Sequence, residues 1–571
     1  MHKTLAIDCE YEAVNPAWAK LRSYSYSWEP GSARFLEWSD KSAAYLQSML
    51  DSLDGDDVLV MHQYGNCDCT ILQNHGIRIP FERLHDTLVM LYVLQHPTLS
   101  LKGAASDLLG MHMTNLDELT GSGKKAVSVL DLPQDQLAPY ACADADATGR
   151  LYSLLRQKLE AEPALWFVYD QIERPCMQAL TDMQIHGVMV DWKHLDSIGK
   201  DVDQVIQAER EVLLSLVGRD MNLESDKQRM AYVYGELNLP VQTNSKTGHA
   251  SLDKKAVTRL RMLYPTLKFL EHLPSYDEAV TLRTRYINGL PKKQGPDGWL
   301  HPVFNAAGAG TGRMASEQPN YQQMPIRTRL GARIREAFVA PQGKTFVGGD
   351  YSQLELRTLA LVTRDTKLTG EFIRAHQEGT EFDIHTWVAN NAGIPRRAAK
   401  ILTFGRLFGQ GADAAYQEVV FNFQEAGEAP PTRLDFDRMY AKHAQILSAL
   451  PTHERNTRNA VLNWGYVETY YGRRMRATQP RGPEFRSALS MGPQGTGGDT
   501  IKLAIPKVWK LCKQYGCALV GAVHDELCNY VPNEHVEGFS IDLKQTMESV
   551  VSWPLPLVSE VKHGRSWAEA H

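Results

Sequence analysis

The stretch KTFVGGDYSQLELRTLALVT, residues 344–363, runs through apolar residues to Asp350 and then changes period, with Ser352 and Glu355 at the spacing of a capping box. It predicts a buried strand ending in an acid that faces a cleft, followed at once by a helix. Downstream, CALVGAVHDELCNYV (517–531) reads as a hairpin whose turn presents His524, Asp525 and Glu526 between two apolar strands. Each acid alone fits an ordinary strand end or turn. Two of them from distant strands are the arrangement phosphoryl transfer needs, with metal ions held between them and a triphosphate. Between the two lies IPRRAAKILTFGRLFGQG (394–411), where Arg396, Lys400 and Phe404 recur every four residues and share one helix face. Such a face suits a triphosphate and a base, although basic amphipathic helices are also common at surfaces. Gly405 and Gly409 count against a simple surface helix, since each costs about 1 kcal/mol relative to alanine.

Near the start, TLAIDCE (4–10) places Asp8 and Glu10 two residues apart on a predicted strand, so both side chains point to one face. Asp68, in HQYGNCDCTIL, and Asp144, in YACADADATGRLY, are the further candidates; Tyr140 precedes Asp144 by four residues and shares its helix face. Four carboxylates converging on one point repel unless divalent cations neutralise them, and oxygen-rich ligand sets suit magnesium or manganese. Asp146 is set aside because it lacks the tyrosine spacing.

The remaining features set bounds. At 571 residues the chain exceeds what one core serves, so two to four domains are expected. With 43% hydrophobic and 22% charged residues the composition is that of a folded globular protein. A net charge of −6 argues against a protein that coats nucleic acid all over, though not against a cleft binder. Basic residues do bunch, at Arg327, Arg329, Arg333 and Arg335 and at Arg473, Arg474 and Arg476. The eight cysteines show no C-x-x-C pair, so neither a disulfide framework nor a zinc site is indicated, and Cys67 with Cys69 has no second half. No apolar run approaches the ~20 residues that span a bilayer, and no signal peptide is visible. Residues 1–160 alternate strands and helices, 171–290 are mostly helical with a polar break near 244–248, and strands and helices mix from about 300 onward.

D-x-E, then the NCD segment, then Y-x-x-x-D resembles the DEDDy proofreading exonucleases attached to DNA polymerases. DYSQLELR, then R-x-x-x-K-x-x-x-F-x-x-x-F-G, then VHDEL resemble motifs A, B and C of family A DNA polymerases, the bacterial polymerase I type also found in phages. TGRMASEQPNYQQMP, RIREAF, DIHTW, GYVETYYGRRMRA, PQGTGGDTIK and the closing W-x-x-AH extend the match over most of the chain.

The resemblance implies an α/β multidomain protein: an RNase H-like 3′-5′ exonuclease at 1–165, then a right-hand polymerase at 166–571. Its thumb falls near 180–300, palm near 300–370 and 470–571, fingers near 370–470. In the exonuclease it implies two metals held by Asp8, Glu10, Asp68 and Asp144, with Tyr140 orienting the attacking water. In the polymerase it implies Asp350, Asp525 and the Tyr351 carbonyl as ligands of two Mg2+ ions, Mn2+ being a substitute. Arg396, Lys400 and His385 then hold the incoming triphosphate, Lys400 protonating the departing pyrophosphate. Gln353 joins the dNTP contacts, Phe404 stacks by the nucleotide and disfavours dideoxynucleotides, and Glu355 is the steric gate against a 2′ hydroxyl. Arg313, Arg486 and Gln494 read the primer-template minor groove, where acceptors are shared by all correct pairs. His524 and Glu526 support the primer terminus, and Phe408 lies beside the template base.

The chain departs from the family at Phe408, Thr403 and Ser490, where tyrosine, asparagine and asparagine are usual, and at Cys67 in the middle exonuclease motif. The first three touch fidelity and base-pair preference, and Cys67 touches the exonuclease rate. No 5′ nuclease and no long thumb insertion are recognised, so a replicative role such as a phage's is expected. Primer-template DNA and dNTPs are the expected partners, with a helicase, primase or single-strand binding protein around them, no membrane, and a cytoplasmic setting. An RNA polymerase or reverse transcriptase shares the palm but not Glu355 with an exonuclease. A retired polymerase is disfavoured by Asp350, Lys400 and Asp525 together, and a non-catalytic scaffold needs neither carboxylate set.

Overall fold

The computed structural model describes residues 3–63, 68–123, 126–244, 247–326 and 328–571. Leu5, Ala6 and Ile7 are fully buried in strand β1 (Thr4–Tyr11), the middle of a five-stranded sheet. β1 pairs antiparallel with β2 (Leu21–Ser27), which pairs antiparallel with β3 (Arg34–Glu37). On its other side β1 runs parallel to β4 (Val58–Met61), and β4 to β5 (Leu84–Asp86). The β1–β4 ladder ends at Ala6 opposite Val60, while β1 continues beside β2. Asp8 and Glu10 therefore stand past the end of β4, where a sheet of this kind opens to a ligand.

Helix α1 (Asp68–Asn74) opens at Asp68, while α3 (Gln134–Glu160) packs on this sheet and α2 (Leu101–Leu109) packs on α3. Small residues bring α3 close: Ala141, Ala145 and Ala147 are fully buried, and a β-carbon on Gly149 would come within 3.3 Å of Ala6 Cβ. The Ser25 hydroxyl on β2 donates to the Ala141 carbonyl at 2.7 Å, fixing the helix beside Tyr140 and Asp144.

The predicted helical passage is present, with α4 (Trp192–Val217) and α5 (Lys268–Leu282) its longest members. Its outer part has a core of its own in which Leu213, Phe269, Leu273 and Tyr276 are buried. Of the expected break at 244–248, residues 245 and 246 lie outside the described residues, as does Arg327 of the first basic cluster.

The downstream half is built on an antiparallel sheet in the order β7-β8-β6-β9: β6 (Lys344–Tyr351), β7 (Ala518–Val523), β8 (Glu526–Pro532) and β9 (Ser559–Gly564). The predicted strand to Asp350 and the predicted hairpin are both there. Gly348 and Gly349 sit mid-strand because nothing larger fits: a β-carbon would lie 2.5 Å from the Ala570 carbonyl oxygen or 2.7 Å from Met547 Sδ. The register sets Glu526 opposite Asp350, and the Tyr351 amide donates to the Asp525 carbonyl at 3.2 Å.

The capping box expected at Ser352 and Glu355 is not formed. Helix α6 (Leu354–Thr363) starts after Gln353, whose left-handed backbone (φ 50°) makes the turn with no side-chain cap. Glu355 is drawn instead to Arg313, 2.7 Å away. Helices α7 (Ile384–Ala392) and α8 (Arg396–Leu407) follow, α8 beginning at the predicted arginine. α9 (Thr496–Tyr515) and α10 (Val536–Glu548) cover the sheet with Ile501, Ile505 and Val508 from one and Phe539, Leu543 and Met547 from the other.

A buried charge cluster joins the two halves. Glu173 Oε1 accepts from Arg473 Nη2 at 2.5 Å and from Lys502 Nζ at 2.7 Å, and Arg473 Nε also donates to Asp499 at 2.7 Å. All four side chains are at most 1% exposed. Lys502 also donates to the Ala306 carbonyl at 2.8 Å, and the Tyr92 hydroxyl, from the upstream half, donates to the Ala309 carbonyl at 2.5 Å. Among the described residues no helix is long and apolar enough to cross a membrane.

Candidate active sites

At the open end of β1, Asp8, Glu10 and Asp144 bring carboxylate oxygens within 4.8 Å of one another. Burial, then Asp144, pushes Glu10 up to about 8 against the pull of Lys102. Burial takes Asp144 up to about 6, opposed by Lys102 and by the neighbouring Tyr140 hydroxyl. Asp8 is raised by burial, then by Asp144, Glu10 and Asp68. Asp68, only 3% exposed at the start of α1, is raised by burial, Glu10 and Asp86, and stands outside the oxygen trio. Residues 64–67, with Cys67, lie outside the described residues. Tyr140 sits one turn before Asp144, as its spacing predicted. Asp146, set aside above, accepts from the Gly31 amide at 2.7 Å and pairs with Arg150. Carboxylates that raise one another's proton affinity raise their cation affinity for the same reason, and an all-oxygen donor set fits Mg2+ or Mn2+.

The second acid pair stands where β6 ends against the β7–β8 turn. Asp350 faces the cleft, and the protein packed behind it, with Glu526, pushes it up to about 6. Burial takes Asp525 up to about 7, Arg313 opposing and Glu355 and Asp350 assisting. Arg313 Nη2 lies 3.9 Å from Asp525 besides its contact with Glu355. Beside the pair opens a cavity of about 430 Å³ whose lining includes Gln353, Glu355, His385, Arg396, Phe404 and Asp525. The helix α8 is continuous, so Arg396, Lys400 and Phe404 recur along one side of it as predicted, but only Arg396 and Phe404 line the cavity and Lys400 is exposed outside it.

Within the cavity, Arg396 donates to Asp383 from Nε at 2.9 Å and from Nη2 at 2.7 Å. Against the burial that opposes it, hydrogen bonds from Thr386 and Arg396 hold Asp383 at about 2. His385 is brought down to about 4 by burial, with Lys400 and Arg396 adding to the effect and Asp383 opposing it; its ring lies 5.3 Å from Phe404. Phe404 stacks on Phe408 at 6.3 Å. The Gln353 amide donates to the Phe382 carbonyl at 2.5 Å. Tyr351 is buried, its hydroxyl donating to the Met547 carbonyl at 2.7 Å.

Of the expected primer-template residues, His524 is exposed at the hairpin turn with φ 56°, Arg486 is exposed and Gln494 half-buried. Glu526 is placed differently: 2% exposed, it accepts from Trp567 Nε1 at 3.2 Å and lies 3.2 Å from His571 Nδ1. Arg335 stacks on Trp567 at 4.0 Å, with Nη1 also 4.0 Å from Glu526.

Comparison with known proteins supplies the family. The family model described as DNA polymerase family A matches residues 192–569. The chain belongs to DNA polymerase family A. A second model, described as 3′-5′ exonuclease, matches residues 1–160 of this family A chain. DNA polymerase I of Pseudomonas aeruginosa is 29% identical, the match covering 99% of this chain and 64% of that protein. Thermostable DNA polymerase I of Thermus aquaticus is 35% identical over 75% of this chain and 51% of its own length. The chain therefore spans between half and two thirds of these curated relatives. Among solved structures, the POL domain of Pol1 from M. smegmatis, in complex with DNA primer-template and dNTP, shares the fold with a TM-score of 0.83 and 24% identity, covering 100% of this chain and 97% of that one.

Three features of this family A chain escaped the sequence reading. Asp383 stood inside the quoted DIHTW but carried no role. Trp567 and His571 closed a quoted motif with no hint that Glu526 was their partner. Lys102, 38 positions before Tyr140, gave no signal; its Nζ lies 3.7 Å from Asp144 and 3.9 Å from the Tyr140 ring centroid.

Proposed function

We propose that the chain is a template-directed DNA polymerase, adding dNTPs to a primer 3′ end, with 3′-5′ proofreading in its upstream domain. The observation that carries the reading is the meeting of Asp350 and Asp525, on neighbouring strand ends, with a cavity walled by His385, Arg396 and Phe404. Residues 1–165 form the exonuclease. The helical passage of about 180–300 acts as the thumb, the antiparallel sheet as the palm, and the α7–α8 region as the fingers. Asp350, Asp525 and the Tyr351 carbonyl would hold two Mg2+ ions, and Asp8, Glu10, Asp68 and Asp144 would hold two more. Bound there, the ions would supply activation of the attacking oxygen and charge stabilisation of the leaving one.

The side chains do the rest. Arg396 leaves Asp383 to take the triphosphate, with His385 and Lys400 beside it, and Lys400 gives a proton to the departing pyrophosphate. Phe404 stacks against the nucleotide, while Glu355 fills the space of a 2′ hydroxyl and holds Arg313 toward the minor groove with Arg486 and Gln494. His385 at about 4 stays neutral near pH 7 and donates a hydrogen bond without adding charge. Tyr140 orients water at the exonuclease acids.

Extension of a labelled primer on a DNA template with magnesium, given dNTPs or rNTPs, tests the reading. Growth with dNTPs alone, lost in Asp525→Asn while 3′ shortening persists, is expected. Shortening without growth in the wild type would remove the polymerase assignment.

A further inference from the structure

Lys102 is an odd neighbour for a metal-binding acid cluster. An ammonium at 3.7 Å from Asp144 competes with any cation for the same carboxylates, and it opposes the upward shift of Asp8, Glu10 and Asp144 alike. It is no loose surface charge, since its side chain is only 20% exposed. Its backbone is fixed as well. The Ser100 hydroxyl caps the start of α2 by accepting from the Gly103 amide at 3.3 Å. A β-carbon on Gly103 would lie 2.7 Å from Thr98 Oγ1, so the helix begins pressed against the preceding turn. The second contact gives the lysine a purpose: Nζ lies 3.9 Å from the centroid of the Tyr140 ring, well inside the ~6 Å reach of a cation–π contact.

We infer that Lys102 is a positioning residue of the exonuclease, whose ammonium clamps the Tyr140 ring against Asp144 and so fixes where the tyrosine hydroxyl meets the attacking water. This rests on the exonuclease reading of the upstream cluster. A tyrosine ring turns freely about two side-chain torsions, and its hydroxyl sweeps a wide arc. With one face of the ring held by Lys102 and the ring packed beside Val129, Leu132 and Leu137, that arc narrows to the side of Asp144. Lys102 thus acts through Tyr140, not on the substrate directly.

Single-turnover removal of the 3′ nucleotide from labelled single-stranded DNA, at saturating magnesium, tests this. Lys102→Met is expected to slow excision by roughly 10-fold or more, the usual effect of losing an outer-shell partner of a metal site. Lys102→Arg, which keeps the charge over the ring, restores most of the rate. Lys102→Met combined with Tyr140→Phe falls no further than Tyr140→Phe alone, because residues acting in series are not additive. Primer extension and the melting temperature report that each variant is folded. Additive losses, or a Lys102→Met rate equal to wild type while Asp8→Ala is inactive, overturn the role of Lys102 and leave the exonuclease reading standing. A folded wild type that removes no nucleotide overturns both.

Discussion

Glu173 of the upstream half accepts a hydrogen bond from Arg473 of the downstream half across 300 residues of sequence, with both side chains at most 1% exposed. Charges this deep are costly to strand. Glu173→Gln leaves Arg473 and Lys502 short of their shared counter-charge, and a loss of about 3–5 kcal/mol is expected, as for breaking a buried ion pair from one side. Thermal unfolding of the whole chain measures it. An unchanged melting temperature would mean the cluster relaxes around water, contrary to its burial.

Asp8→Ala removes one of three acids whose oxygens lie within 4.8 Å and should abolish 3′ excision while primer extension continues. The two acid clusters belong to separate sheets, so loss of extension in this variant would refute the division of labour.

Glu355→Ala opens the wall expected to exclude a 2′ hydroxyl and also frees Arg313 from its 2.7 Å contact. Two effects should appear together. Ribonucleotide incorporation rises relative to dNTP use, and extension from a mismatched primer end changes because Arg313 loses an anchor of about 1.5–3 kcal/mol. Competition assays with rNTPs and mismatched primers read the two separately; a change in neither would remove Glu355 from the nucleotide site.

Acid should weaken the fold through its buried histidines. His443 is brought down to about 3 by burial, with Arg406 and His385 adding to the effect, and His85 to about 3 by burial with Arg174 and Arg156. The His443 Nε2 lies 2.9 Å from the Thr403 hydroxyl, which also lies 2.8 Å from the Ala399 carbonyl, and with its proton affinity brought down to about 3 the ring is neutral at pH 7. The unfolded chain binds a proton at each histidine below about 6.5, whereas the folded chain does so only near 3. Stability therefore drops as pH falls below about 6.5, by up to about 1.4 kcal/mol per pH unit for each such group. Urea unfolding at pH 7 and pH 5 tests this, and His443→Gln should flatten the slope.

Much of the two sites could be read along the chain, because their residues lie on short elements with clear periods. Asp8 and Glu10 share a strand face, Arg396 and Phe404 a helix face, and His524 and Asp525 a two-residue turn. The failures have a common cause. Glu355 looked like a helix cap because three-residue spacing is a local signal, and Arg313, which claims it, lies 42 positions away. Lys102, Glu173 and the Trp567–Glu526 contact are meetings between distant segments, which leave no mark in any local pattern. Sequence period fixes where a side chain points; it does not say who waits there.

The bond from the Tyr351 amide to the Asp525 carbonyl, within the register that sets Glu526 opposite Asp350, bears on how such a site can change. Strand register moves in whole residues, and a slip of one turns every side chain to the other face. The separation of Asp350 and Asp525 is therefore a discrete quantity, kept or destroyed but not graded. On the proposed function, the choice of nucleotide falls to the cavity walls, where Phe404, Glu355 and Arg396 stand on helices and not on the paired strands.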